Sequence, residues 1–335
     1  MTAIISAIYP LLVGAAVLGA VIGVVTYVTL LERKFAARMQ SRIGPYYVGW
    51  PHGWLQPIAD GVKLMMKEDI VPRLADRRVY NLAPLVFLIP CLLIFATLPF
   101  APGLGVADLN IGILFFLAVS AMEIVGLFMG GWGSNNKYAL LSVMRAVNQI
   151  ISYDLPFVFA AMVPVLLAGS LKLSDIAVAQ PDVLHWFVFY PVIGQLAFIA
   201  YIVAMLAAEN RVPFDILEAE SELVAGFRVE YSGMKFALIQ LGEYAHIVAT
   251  SFLGALLFLG AWGGPGAGSS AVLGVFYFLL KAMFIFLLVT WIRWSFVRIR
   301  VDQILAISWK LLLPATLVLL MATAVVVAWK GPLLV

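Results

Sequence analysis

Apolar residues gather in eight long blocks, near 11–31, 84–102, 111–130, 146–169, 188–208, 237–262, 272–292 and 311–329. A helix rises about 1.5 Å per residue, so blocks of this length match the ~30 Å hydrocarbon core of a bilayer. The pattern predicts an all-α integral membrane protein of about eight transmembrane helices, organised as a single membrane domain. No Lys or Arg precedes the first block, and the first charge is Glu32, so this block is expected to be a retained helix rather than a cleaved signal. After it the period changes. Leu55, Ile58, Val62 and Met65 recur at helical spacing, with Asp60, Lys63, Lys67 and Glu68 on the other side. That spacing predicts an amphipathic helix lying flat at the membrane surface, or a solvated helix packed on a partner.

Composition agrees. Hydrophobic residues make up 64% of the 335 positions and charged residues 12%, against roughly 25% charged in a soluble domain. The net charge of +3 is small and gives no reason to expect a nucleic-acid partner. Its distribution says more, because Lys and Arg collect on the cytoplasmic side of membrane proteins. Alternate connections hold Arg33, Lys34, Arg38, Arg42, Lys63, Lys67, Arg73, Arg77, Arg78, Lys137, Arg145, Arg211, Arg228, Lys235, Arg293, Arg298 and Arg300, whereas the opposite ones hold only Lys172. Both termini are therefore expected on the non-cytoplasmic side, with inner loops at 32–83, 209–236 and 293–310. Ala- and Val-rich spans favour a bacterial plasma membrane, crossed many times, over an organelle inner membrane.

Candidate chemistry is narrow. The single cysteine, Cys91, cannot build a four-Cys iron–sulfur or zinc site. Dinucleotide and phosphate-binding glycine loops, HExxH and nucleophile-elbow motifs are missing from the sequence. His52, His185 and His246 are scattered over a loop, a connection and a helix, which suits satisfied polar residues better than paired haem ligands. Any redox metal is expected on a partner, with none bound by this chain. What stands out is carboxylate within or beside apolar sequence: Glu123, Asp154, Glu209, Asp215, Glu218, Glu220, Glu222, Glu230 and Glu243. A carboxylate at mid-bilayer costs roughly 2.5–3.5 kcal/mol on insertion scales and by default marks a proton or ion path. The alternative is structural pairing with Arg145, Lys235, Lys281 or backbone.

Four stretches then bring in a resemblance. They are LERKFAARMQSRIGP with GWLQPIADGVKLMMKED, GWGSNNKYALLSVMRAVNQIISYD, AENRVPFDILEAESELVAGFRVEYSGMKFALIQLGEY, and RIRVDQILAISWKLLLP. In this order they closely resemble the H-subunit family of respiratory complex I, the proximal membrane subunit of proton-pumping NADH:quinone oxidoreductase. The resemblance implies a cofactor-free subunit with quinone as substrate. FMN, iron–sulfur clusters and the NADH site are implied on hydrophilic-arm partners, with further membrane-arm subunits alongside. It implies Glu32, Arg33, Gln40, Arg42, Asp60, Lys63 and Phe227 at the quinone passage. It also implies that Glu123, Asp154, Glu209, Glu220, Glu222, Glu230 and Glu243 form an acidic path into the membrane. Trp50 and Trp54 are candidate wall residues.

Three positions depart from the family pattern: Asp154 where Glu is usual, Tyr46 in place of Asn, and Val297 in place of Pro. Two rival readings remain. One is the related membrane subunit of a hydrogenase or formate hydrogenlyase, against which the QSRIGP and LQPIAD segments speak. The other is a free-standing ion transporter, which would call for internal symmetry and interrupted helix pairs that the sequence does not display.

Overall fold

The computed structural model describes residues 2–218, 220–265 and 270–331, with side chains left undescribed at 2–13 and at 220–221. Among the described residues thirteen α-helices form: α1 Thr2–Met39, α2 Gln56–Met66, α3 Arg77–Leu93, α4 Gly112–Ala121, α5 Glu123–Gly133, α6 Lys137–Ala168, α7 Leu173–Val178, α8 Ile193–Ala208, α9 Glu220–Leu223, α10 Gly233–Leu259, α11 Ala271–Ser295, α12 Val301–Ile307 and α13 Leu313–Lys330. Among the described residues seven helical stretches are long and apolar enough to cross a membrane, and α8 is a shorter apolar helix. The fold is thus all-α and built for a bilayer, where only helices satisfy their backbone within one segment.

Several helices outrun the apolar blocks that signal them. α1 continues to Met39 because Glu32, Ala36 and Ala37 are buried against the bundle. α3 starts at Arg77, where Asp76 accepts from the Arg78 and Val79 amides, and α6 starts at Lys137, where Asn136 accepts from the Tyr138 amide. These caps satisfy orphan N–H groups at the polar boundary. The third block is two helices joined at Met122 by one tightened turn, whose amide bonds back to Val119. The last one carries a π turn over Ser308–Leu312, tied to α6 by Ser308 Oγ donating to the Ser152 carbonyl at 2.6 Å.

α10 is the most enclosed of the spans and the hub of the bundle, packed on α3, α11 and α1. Close approach to α3 depends on small residues, as helix association in lipid generally does. Phe87 of α3 is wedged between Gly126 of α5 and Gly242 of α10, and a methyl added at Gly126 would overlap the Phe87 backbone. The α10 C-terminus is closed by Gly260 in the left-handed region and by Lys281. The Lys281 ammonium donates to the carbonyls of Gly260, Ala261 and Gly263 at 3.3, 2.9 and 2.7 Å. This intramembrane lysine therefore serves a helix end and, among the described side chains, pairs with none of the candidate acids.

The surface helix α2 carries Leu55, Ile58, Val62 and Met65 outward, all exposed. Its other side is held to α1 by Asp60, which accepts from Arg33 at 2.5 Å, Gln56 at 3.1 Å and Lys63 at 3.2 Å. Burial alone would raise the Asp60 pKa, but the Arg33 hydrogen bond and charge, with Lys63 and Gln56, hold it below the ordinary value.

This packing can be tested at two points. Gly126→Ala is expected to destabilise the purified protein by about 1–3 kcal/mol through overpacking, lowering its thermal transition in detergent, whereas Gly23→Ala, with open space around it, is expected to be neutral. Because the Asp60 pKa is depressed, its contribution to the α1–α2 contact is fully present above the ordinary carboxylate pKa of about 3.9. It is lost only as pH falls through the lower folded value. Hydrogen exchange in α2 should stay constant from about pH 5 to 8 and accelerate in Asp60→Asn.

Candidate functional site

Three of the candidate acids, Glu123, Glu209 and Glu243, gather around α10. Glu243, His246 and Thr250 lie three and four residues apart, on one stripe of α10. Glu123 opens α5 and Glu209 caps the end of α8, so both carboxylates reach the middle of that stripe. His246 Nδ1 stands 3.2 Å from Glu123 Oε2 and 3.1 Å from Glu209 Oε1. Neither approach is aligned as a full hydrogen bond. Nε2 meets Ser120 Oγ at 2.6 Å, Thr250 Oγ1 donates to Glu209 at 2.8 Å, and the Cys91 thiol faces Glu123 at 3.6 Å. All of these side chains are buried or nearly so. The helix dipoles differ at the two acids: the N-terminus of α5 favours negative charge on Glu123, whereas the C-terminus of α8 does not favour it on Glu209.

Toward the loops 32–83 and 209–236 the charges alternate. Arg228 pairs with Glu243 and, at 2.6 Å, with Glu218. Arg211 lies over the Tyr244 ring, 4.8 Å from its centroid, and 3.7 Å from Glu32, which also pairs with Arg293. A cavity of about 30 Å³, room for a water molecule, touches Glu123, Glu209, Glu218, Glu243, Arg211 and Arg228. Two neighbouring loop carboxyls are driven apart. Burial and the Glu218 charge raise Asp215. Burial would raise Glu218 too, but Arg228, Arg211 and Arg293 outweigh it and hold its pKa below the ordinary value. Buried ions arranged this way stabilise one another, and removing one partner of such a pair costs roughly 3–5 kcal/mol.

The remaining acids lie elsewhere. Asp154 is half-buried on α6 with no hydrogen-bond or ion-pair partner among the described residues. Glu222 pairs with Arg145 at 2.7 Å and Arg298 at 3.3 Å on an exposed edge, where ion pairs contribute little. Glu230 accepts from Asn136 at 2.7 Å. The backbone of Glu220 opens α9, but its side chain lies outside the described residues.

The seven passage candidates fall in four places. Arg33, Asp60 and Lys63 cluster between α1 and α2. Gln40 accepts from Arg42 at 2.7 Å just beyond α1. Arg42 also lines a cavity of about 550 Å³ whose wall includes Leu31, Phe35 and Leu287, with Lys34 and Arg38 beside them. Glu32 joins the charge row through Arg211 and Arg293. Phe227 is buried with Tyr80, Leu127 and Tyr231 in the smaller of two apolar clusters and makes no described contact with the Arg33 group. Trp50 and Trp54 are exposed. Among the described residues no set of His, Cys, Asp and Glu is placed to hold a metal ion.

His246 is the residue that sequence reasoning passed over. Its signal was present: three residues past Glu243 on an apolar helix, it had to share that acid's face. Tyr46 lines the large cavity at the end of α1, while Val297 is exposed and nothing in the structure explains it.

The family described as NADH dehydrogenase matches residues 12–324. The H subunit of NADH-quinone oxidoreductase from Geobacillus kaustophilus strain HTA426 is 48% identical over 316 residues, covering 94% of this chain and 93% of the relative. The protein of the same name from Dehalococcoides mccartyi strain CBDB1 is 47% identical over 294 residues, covering 88% and 80%. That of Chlorobaculum parvum is 43% identical over 314 residues, covering 90% and 87%. With a match running almost from end to end, this chain belongs to the NADH dehydrogenase family, beside the H subunits of bacterial NADH-quinone oxidoreductases.

Proposed function

We propose that this chain is a membrane subunit of an NADH:quinone oxidoreductase, that it forms much of the quinone passage, and that it couples quinone reduction to proton movement through buried carboxylates. The observation that carries this reading is the alternating charge row from Glu32 through Arg211, Glu218, Arg228 and Glu243 to Glu123 and Glu209. The names of the relatives supply the reaction. The row supplies a reason for the acids to tolerate an apolar setting.

In this reading the residues at the inner end of α1 hold a quinone, an iron–sulfur cluster on a partner would supply its electrons one at a time, and two protons complete the quinol. The ~550 Å³ cavity has the size and apolar lining of a small-molecule site, with Arg42 as a polar contact. Arg33, Asp60 and Lys63 mark its approach along α2. Negative charge arriving on the quinone shifts the balance at Glu32, and each buried carboxylate passes the change to the next through the arginine between them. FMN, the clusters and the NADH site sit on hydrophilic-arm partners, and the chain itself carries no cofactor. The Lys/Arg bias supports loops 32–83, 209–236 and 293–310 on the cytoplasmic side, and the bacterial relatives support a plasma membrane, with that arm docking on these loops.

Glu123→Gln and Glu209→Gln in the assembled, liposome-reconstituted complex are expected to cut protons pumped per electron by about tenfold or more while assembly persists; full pumping in both would remove the proton path. Arg42→Ala should raise the quinone KM about tenfold, in line with loss of one hydrogen bond to a charged group, with a smaller change in kcat. An unchanged KM would place the passage elsewhere.

A further inference from the structure

His246 meets two carboxylates with one ring nitrogen. A purely structural histidine is satisfied by one well-aligned partner on each nitrogen, and Nε2 has such a partner in Ser120 Oγ at 2.6 Å. Nδ1 has instead Glu123 of α5 and Glu209 of α8, at 3.2 and 3.1 Å, with neither approach aligned to the exclusion of the other. Among the described residues the two acids share no direct hydrogen bond, so the imidazole is the side chain that touches both. Cys91 of α3 faces Glu123 at 3.6 Å, and the half-buried Asp154 of α6 lies within charge range.

We propose that His246 is a proton carrier between Glu123 and Glu209, a step that rests on the proton-path reading above. The neutral ring keeps its proton on Nε2, donated to Ser120, which leaves Nδ1 free to accept. The O–H bond of protonated Glu123 breaks as an N–H bond forms at Nδ1, giving an imidazolium between two carboxylates. That N–H bond then breaks as Glu209 Oε1 takes the proton, and the ring returns to its starting tautomer. No electron moves, and one proton crosses from α5 to α8. The helix ends favour this direction, since the α5 N-terminus stabilises the carboxylate left on Glu123. Ser120 acts as a positioning residue that fixes the tautomer.

The test uses the assembled complex in liposomes, with NADH-driven quinone turnover, quinone KM, protons pumped per electron and the solvent deuterium effect read together. Glutamine keeps hydrogen bonding at the site but cannot carry a proton. His246→Gln is expected to leave the quinone KM within about twofold, lower pumping about tenfold, and enlarge the deuterium effect on coupled turnover, which a merely structural role would not move. Wild-type pumping and deuterium effect in His246→Gln would overturn the proposal, showing that protons pass by the small cavity instead. If Glu123→Gln and Glu209→Gln lose pumping in parallel while His246→Gln keeps it, only the His246 role falls; if all three pump normally, the proton path itself falls. Should His246→Gln fail to assemble, Ser120→Ala decides: it keeps the imidazole, and partial loss of pumping at unchanged KM supports the carrier, whereas wild-type pumping overturns it.

Discussion

A charge buried away from water survives only with a counter-charge or a proton close by. Much of this bundle is arranged around that constraint. Glu32 pairs with Arg211, Glu218 and Glu243 both pair with Arg228, Arg211 acts on Glu218 through its charge, and beyond Glu243 arginine gives way to histidine between Glu123 and Glu209. The change of cation matters. An arginine holds its proton throughout the accessible pH range, so it conveys a change of field from one acid to the next. An imidazole can also convey the proton itself.

Helix packing serves the same row. α10 carries Glu243, His246 and Thr250 on one stripe and reaches its neighbours through Gly242, so that Phe87 fits between it and α5. This close approach brings the ends of α5 and α8 to the stripe, where their opposite dipoles face one histidine. Other polar groups serve the helix ends: Lys281 and Gln180 bind the carbonyls that close α10, and Asp76 and Asn136 cap α3 and α6.

Much of this was legible in the chain. Block length gave the all-α membrane class, and helical spacing at Leu55, Ile58, Val62 and Met65 gave the surface helix, since both rest on local periodicity. The acids stood out because their insertion cost is a property of single residues. Helix limits were less legible: α1 passes beyond Glu32 to Met39 because its polar residues find partners in the bundle, which hydropathy cannot see. The pairing of Arg228 with Glu218 and Glu243 joins two segments through tertiary geometry, so spacing could not foretell it. Phe227 shows the converse, a motif residue that the fold buries in an apolar cluster.

The most direct measurement is redox-triggered infrared difference spectroscopy on the assembled complex, with glutamate isotopically labelled in this chain alone. A conducting charge row predicts that quinone reduction alters carboxyl bands of the labelled chain, and that part of this signal disappears when Glu123 or Glu209 is replaced. A difference spectrum without labelled carboxyl bands, at full turnover and full pumping, would contradict it.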